Sequence, residues 1–586
     1  MNGSTKSERS DSDSAAPMGQ GATWDMERVA AAIGALNQAP VKFELAQDVS
    51  QGGVLLALPA LLSNGLLRHT GLYFKLPPGF YGIESIFLLL ALMALARIKS
   101  IEQLRYSAPG EWGKLLGLDR VPEVRTLRAK MKLLCAGDEQ KAEDEGPVQR
   151  WGAKLAEEWM ADTPAGTGLF YIDGHVRVYH GSEAQLPRRY VAREKLCLRG
   201  TTDYWINALD GQPFFLVSQA VDPGMLTVLR EQIVPRLEML IPQSLPNADL
   251  NPDKKHPRFT IVFDREGYSP QFFLDMRQRQ IAVLTYHKFS GEDWPKEEFF
   301  PSNVRLANGE QCQMQLAERG VRLSDKLWLR EVRKLSESGH QTSILSTNDA
   351  LELEAVAASM FARWNQENFF KYMREHYNLD RLVEHGTEEI PGTTRVINPR
   401  WREKDGQARK EIGQLQRQMA FFGSMGLEGP LDDAEEYARK KGQLQQDIVE
   451  RQQNVDKLKA ERKLLPRHIT VAELPEKDRF ERLRSTRKYF VDTLKMIAYR
   501  AETAMVGILR EKQARADDTR ALLREIYATE ADLQPDLEAR TLTVRLHHLA
   551  THAHDEILQK LCTELTATET IFPGTDLRVI YKLGSS

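Results

Sequence analysis

The sequence predicts a multidomain mixed α/β protein with a sheet-containing middle and helical flanks. Three observations carry that class. Strand-like apolar runs alternate with helical periods between residues 168 and 290. A helical pattern without strand alternation runs from about Val41 to Leu134, and beyond Pro399 the composition becomes helix-forming and highly charged. At 586 residues the chain exceeds what one core organises, so about two to four structural units are expected.

Bulk properties exclude several classes. Apolar residues at 42% and charged residues at 27% match a globular protein, not a collagen-like, disordered or many-span membrane chain. A formal charge of -3 argues against a surface coated in phosphate-binding charge, so local basic clusters matter more. Cys135, Cys197, Cys312 and Cys562 lie too far apart for a disulfide framework or a zinc site and read as core thiols. The longest apolar run, Ile86 to Ala96, is about half the roughly 20 residues of a membrane span and reads as a buried helix. The polar, small-residue-rich start, residues 1–38, reads as a disordered tail without a secretory signal. A cytoplasmic protein with no membrane contact is expected.

Taken in order, Val54 to Leu67 and Ser85 to Leu95 are apolar and helical, with a break at Pro77 to Gly82. Ile101 to Arg105, Glu111 to Leu116 and Pro122 to Leu134 follow as short periodic segments, Pro122 suiting a first helical position. The last carries Arg125, Arg128, Lys130 and Lys132, and from Arg97 to Lys132 nine Lys or Arg face four Asp or Glu. Such an arrangement is similar to a helix-turn-helix whose last helix enters a major groove, or is the solvated face of a bundle. Ala136 to Glu143 reads as a linker.

Gly168 to Val178 and Asp203 to Gln219 read as strands, Met225 to Leu240 as helix, Phe259 to Phe263 as strand, Pro270 to Arg279 as helix and Ile281 to Tyr286 as strand. Gly291 to Leu345 lacks a helical period and reads as short strands. A long helix is expected from Asp349 to His376, with Asp349 and Glu352 as its cap pair. Leu444, Ile448, Val455, Leu458 and Leu465 keep a heptad-like spacing that Arg451 and Arg462 interrupt, which predicts a coiled hairpin. Another helix is expected over Lys477 to Lys512, then a strand (Thr541 to Arg545), a helix (His554 to Leu565) and a strand (Leu577 to Lys582).

Three segments carry residue types suited to chemistry. Phe170-Tyr171-Ile172-Asp173-Gly174-His175 sets an aspartate in an apolar strand, costly unless paired or bound to a cation, although Asp-Gly is also a hairpin-turn signal. In Phe259-Thr260-Ile261-Val262-Phe263-Asp264-Arg265-Glu266-Gly267-Tyr268, Asp264 stands at the carboxyl edge of a buried strand, where open α/β sheets place ligands, or caps the following helix. In Arg363-Trp364-Asn365-Gln366-Glu367-Asn368-Phe369-Phe370-Lys371, one helix face carries Arg363, Glu367, Lys371 and Arg374, which either surrounds a carboxylate with cations or forms ordinary i, i+4 ion pairs. His175 reads as structural. Lys288, and the cluster Arg188, Arg189, Arg193, Lys195 and Arg199, are open between DNA contact and solvated loop.

An Arg-Trp-x-x-Glu-x-Phe-Phe-Lys helix preceded by strand-Asp-Gly and strand-Asp-Arg-x-Gly-Tyr resembles the DDE transposases of bacterial insertion sequences. The resemblance is closest to the branch with a β-rich insertion before the glutamate. It covers about Gly168 to Tyr377. In that branch a tyrosine precedes the arginine by three residues and a lysine follows the glutamate by seven; here these are Met360 and Arg374.

The resemblance implies a ribonuclease H-like core and a catalytic, metal-binding triad of Asp173, Asp264 and Glu367, spaced by 91 and 103 residues. It implies Mg²⁺, with Mn²⁺ as a substitute. Hard cations take carboxylate oxygens, and two of them stabilise both attacking and leaving oxygens of an in-line displacement at phosphorus. In that scheme Asp173 bridges both ions, Asp264 and Glu367 each hold one, and Arg363, Lys371 and Arg374 contact phosphate. The expected organisation is a tail (1–38), a helical DNA-binding domain (39–145), the core in two parts (146–290 and 346–398) around a β-rich insertion (291–345), a coiled hairpin (399–470) and a C-terminal cap (471–586). The expected function is Mg²⁺-dependent cleavage and transfer of double-stranded DNA at element ends by a bacterial, nucleoid-associated homodimer or larger assembly. A nuclease of the same fold, or a catalytically inactive transposase-derived DNA-binding protein, are the alternatives.

Overall fold

The computed structural model describes residues 24–136, 146–162, 168–191, 193–221, 223–241, 257–306, 311–324, 327–361, 364–424, 434–476, 479–510 and 516–584. Of the expected tail and the linker after Ala136, residues 1–23 and 137–143 lie outside this set. The tail does not extend to residue 38. Asp25–Ala32 is helical, and Arg28 makes a forked pair with buried Asp119 (Nη2 to Oδ1 2.5 Å, Nε to Oδ2 2.8 Å) while stacking on Phe80. A partner so distant in sequence gives no local signal.

The flanks of the chain share one core. Strand β1 (Ala46–Val49) pairs with Ala531–Asp536 at the edge of a four-stranded sheet completed by Thr541–Leu546 and Arg578–Leu583. The Ile83–Leu95 helix, apolar all round, is buried against the Thr486–Arg510 helix. Residues 39–136 and the C-terminal cap therefore pack as one unit. The helix expected from Pro122 begins at Val124, with Pro122 ahead of the cap residue Glu123. Among the described residues no helix is long and apolar enough to cross a membrane.

The large sheet is built from β2 (Leu169–Val178), β3 (Arg188–Val191), β4 (Leu196–Asn207), β5 (Pro213–Gln219), β6 (Phe259–Phe263), β7 (Ile281–Tyr286), β8 (Phe300–Arg305), β9 (Gln311–Ser324), β10 (Leu327–Leu335) and β11 (Gln341–Ser346). Its order is β3-β4-β2-β6-β7-β11-β10-β9-β8, with β5 on β4. β4 runs antiparallel to β2 and β5, whereas β2, β6 and β7 are mutually parallel. The single strand expected over Asp203 to Gln219 is instead the β4–β5 hairpin, turning at Asp210-Gly211, where Gly211 has φ +88°. The β-rich segment continues the same sheet through the antiparallel β7–β11 pair.

Strand alternation sorts side chains onto two faces. Phe170, Ile172, Ile261, Phe263 and Val283 enter the main core; Tyr171, Val262, Leu284 and Ile344 enter a second core covered by Leu353, Val356 and Met360. That covering helix, Leu353–Phe361, and the next, Trp364–Tyr377, replace the single long helix expected from Asp349. Asp349 caps neither; it pairs with Arg277 at 3.3 Å, ahead of the helix start. Two helices serve two surfaces: Val356 and Met360 face the second core, Phe369 and Met373 the main one.

Pro399–Ser424 and Ala434–Lys463 form the expected hairpin, packed along Ala408, Leu415, Val455 and Leu458. The interrupting arginines are its cross-links. Arg451 reaches Glu411, Gln414 and Gln418, and Arg462 reaches Asp405 at 2.5 Å. Its base is closed by Arg395–Ile397 pairing with His468–Thr470. The helix expected from Lys477 starts at Thr486, because Glu481–Leu483 is extended and pairs with Thr387–Glu389. Cys135 and Cys562 are buried as expected and Cys312 is half-buried against the second core; Cys197 is exposed, so it is not a core thiol.

Candidate active site

Asp173 lies inside β2 rather than in a hairpin turn. The parallel register couples Ile172 to Phe263, so the next residues, Asp173 and Asp264, stand side by side where β6 ends and β2 runs on. Neighbouring strands lie about 4.8 Å apart. Asp264 keeps extended backbone (φ -79°, ψ 172°), so alternation carries it to the Val262 face, and Asp173 shares the Tyr171 face. Both point to the side covered by the Leu353–Phe361 helix. Each is half-buried, and each accepts a hydrogen bond from the next backbone N–H: Gly174 to Asp173 at 2.9 Å, Arg265 to Asp264 at 2.6 Å. Asp264 thus also caps the short 3₁₀ turn Arg265–Gly267.

Glu367 sits in the first turn of Trp364–Tyr377. Gln366 beside it is fully buried, and its Nε2 donates to the Tyr171 carbonyl (3.3 Å), the Trp205 carbonyl (3.1 Å) and Asn207 Oδ1 (2.8 Å). One turn later Phe370 stacks on His175 with ring centres 5.1 Å apart. The helix is therefore fixed to β2 on both sides of Asp173, and the turn carrying Glu367 lies between the two anchors. Glu367 itself is exposed. The three carboxylates do not form a set whose ligand atoms all lie within 4.8 Å; among the described residues that description fits Asp48, Asp532 and His547, in the four-stranded sheet.

Further along the same face, His175 Nε2 bonds Asp380, which Arg193 also approaches at 3.4 Å. Burial works against the Asp380 charge, but the His175 hydrogen bond and the charges of His175, Arg193 and Arg374 outweigh it and hold the carboxyl below its usual range. Lys371 is exposed and Arg374 half-buried. Arg363 lies outside the described residues.

The far end of the glutamate helix is held by a buried carboxylate. Glu502 accepts from Tyr377 Oη at 2.5 Å and from Tyr372 Oη, and pairs with Arg97 at 2.8 Å and Arg520 at 3.3 Å. Sequence reading missed Gln366, Asp380 and Glu502, since each takes its meaning chiefly from partners over a hundred residues away, Arg520 beside Glu502 being the nearby exception.

On the expected recognition helix, Leu127, Met131 and Leu134 are buried while Arg125, Arg128 and Lys132 are exposed. Arg128 pairs with Glu102 at 2.7 Å. Lys130 is half-buried, and that burial lowers its pKa. Lys288 is exposed, as are Arg188, Arg193 and Lys195, whereas Arg189 and Arg199 are half-buried.

A mixed α/β protein thus carries two aspartates side by side on adjacent parallel strands, one within β2 and one at the carboxyl end of β6, with a glutamate helix fixed alongside. A family model described as Transposase protein matches residues 19–585, and the chain belongs to that family. No curated protein matches it.

Proposed function

We propose that this chain is a DNA transposase whose phosphodiester chemistry is carried by Asp173, Asp264 and Glu367 on a ribonuclease H-like core formed by residues 146–290 and 346–398. The observation that carries the reading is the register of β2 with β6, which sets Asp173 and Asp264 side by side on one face. Further support comes from the antiparallel succession β2-β4-β5 followed by β6 and β7 parallel to β2, the arrangement expected of such a core. The family match supplies the biological context, DNA transposition.

The donor set fits Mg²⁺, being three carboxylates without thiol or imidazole. Asp173, Asp264 and Glu367 would hold it, and when bound it supplies charge stabilisation to the attacking and leaving oxygens. The protein's own contribution is positioning. Asp173 and Asp264 are fixed by sheet register and by their backbone hydrogen bonds. Glu367 owes its position to the anchors Gln366 and Phe370. Lys371 and Arg374 neutralise phosphate on the same helix.

Purified protein is assayed with element-end DNA for cutting and for joining. Asp173→Asn, Asp264→Asn and Glu367→Gln are each expected to abolish Mg²⁺-dependent cleavage while DNA binding persists. Near-normal cleavage by any one variant removes that residue from the site. Cutting without joining makes the protein a nuclease, and metal-independent binding alone makes it an assembly protein.

A further inference from the structure

We propose that a basic cavity of about 880 Å³, lying on the sheet beyond the candidate active site, holds the sugar–phosphate backbone of a DNA strand. The inference rests on the proposed function only for the identity of the nucleic acid. Arg177 of β2 lines the cavity four residues past Asp173 on the same strand face. Four residues of strand span about 13 Å, about four nucleotides of B-form rise at roughly 3.4 Å each. A DNA strand of that length spans the gap between the carboxylates and this space, passing outside the Phe370 and Asp380 contacts that cover the β2 face at His175.

Its electrostatics favour an anion. Arg150 and Arg236 line the cavity, and among the described residues neither has a carboxylate partner; each lies over an aromatic ring, Tyr73 and Phe215 respectively. Arg482 and Arg484 also line it and share the single carboxylate of Glu388 (2.9 and 3.2 Å). Buried Lys488 and Arg177 are neutralised by Asp492 and Asp203. Glu384, the sole carboxylate lining the cavity among the described residues, is itself matched by Arg487 at 2.8 Å. The balance leaves at least the charges of Arg150, which is exposed, and Arg236, which is half-buried, without a carboxylate among the described residues at one space.

Two further features point to a ligand. Thr201 and Tyr489, at 5% and 9% exposure, line the cavity, and their hydroxyl oxygens, closed off from solvent by the surrounding atoms, find no hydrogen-bond partner among the described residues. Buried polar groups are normally paired, and hydroxyls beside guanidinium groups are what phosphate oxygens accept from. Two helices also begin here: Pro147–Ala161, with Gln149 and Arg150 in its first turn, and Thr486–Arg510, with Lys488 and Tyr489 in its own. Their amino ends add positive potential. Leu216, Val217, Met239 and Ile390 give the same cavity an apolar wall for sugar and base.

The test uses the full chain without Mg²⁺, titrated by fluorescence anisotropy against a fluorescein-labelled single strand of arbitrary sequence. Arg150→Ala with Arg236→Ala is expected to weaken binding and to reduce the salt slope by about 1.4, two phosphate contacts at roughly 0.7 each. Thr201→Val with Tyr489→Phe is expected to weaken binding with the slope unchanged, because neutral donors release no counterions. Unchanged affinity and slope in the folded arginine variant overturns the proposal. So does displacement of the strand by inorganic phosphate or deoxythymidine monophosphate as readily as by unlabelled strand, which would mark a small-anion site. Asp173→Asn, assayed with Mg²⁺ for cleavage and without it for strand affinity, separates the two readings: a loss of cleavage with binding intact speaks for the triad, and a loss of strand affinity from the arginine change speaks for the cavity.

Discussion

Replacing Glu502 by glutamine removes one charge and almost no volume, and the structure says what that charge does. The carboxylate is fully buried and faces two guanidinium groups, Arg97 and Arg520, themselves largely buried. It also accepts from Tyr372 and Tyr377 of the glutamate helix. An amide oxygen can keep one tyrosine bond but leaves both cations without a counter-charge. Breaking a buried pair in this way costs about 3–5 kcal/mol, a large part of the roughly 5–15 kcal/mol that holds a typical native state. The assay is equilibrium urea unfolding of wild type and Glu502→Gln, followed by tryptophan fluorescence. A pH series adds a sign. Burial raises the carboxyl's pKa, but Arg97, Arg520 and the two tyrosine bonds outweigh it and depress the folded value. Stability from this group is thus complete above the unfolded value of about 4.3 and lost as pH falls through the folded one. The variant should lack that part of the acid limb. A stability loss below about 1 kcal/mol, the range of exposed pairs, would refute the view of Glu502 as a buried clamp.

Three other outcomes follow from the site and its surroundings. Gln366→Leu should leave the fold intact and raise the Mg²⁺ concentration needed for half-maximal cleavage, because the turn bearing Glu367 loses its polar anchor to β2 and β4; an unchanged metal dependence would show that Phe370 suffices. Alanine at Arg125 and Arg128 should weaken binding of element ends and flatten its salt dependence, whereas equal affinity and slope would place end recognition elsewhere. Removing residues 399–467 and joining the ends with a short glycine linker should leave a folded protein, since Ile397 and His468 are paired neighbours at the hairpin base; light scattering on DNA complexes then decides between assembly, where subunit number falls, and an intramolecular brace, where it stays.

Local signals were legible in the sequence and partnerships were not. Phe259 to Phe263 and Ile281 to Tyr286 are apolar runs bounded by turn residues, and their strand limits match the reading residue for residue. The hairpin seam was legible because a heptad spacing is a local property, yet Arg451 and Arg462 read as interruptions when each is a cross-hairpin partner. Asp173-Gly174 carries the Asp-Gly hairpin-turn signal yet lies within a strand, whereas the same dipeptide at Asp210-Gly211, read as strand interior, is the turn. What distinguishes the two is the third dimension: β6 and β4 flank Asp173, while nothing continues the ladder past Asp210. The unity of the flanks was hidden for the same reason, as β1 finds its partner nearly five hundred residues away.

The three carboxylates are held in two different ways, and that difference has consequences. Asp173 and Asp264 depend on strand register, set by a ladder of backbone bonds between buried parallel strands that single side-chain changes do not shift. Glu367 depends on a helix suspended between Gln366 and Phe370 at one end and the Tyr372–Tyr377–Glu502 cluster at the other. That second suspension runs to Arg97 in the N-terminal helical region and to Arg520 near the C-terminus. Changes in either flank can therefore move Glu367 while leaving the aspartate pair in place. A substitution at Arg97 or Arg520 that impairs metal-dependent cleavage should do so through Glu367 alone, raising the Mg²⁺ concentration needed for half-maximal cleavage as Gln366→Leu does, and combining the two should cost less than the sum of their separate effects.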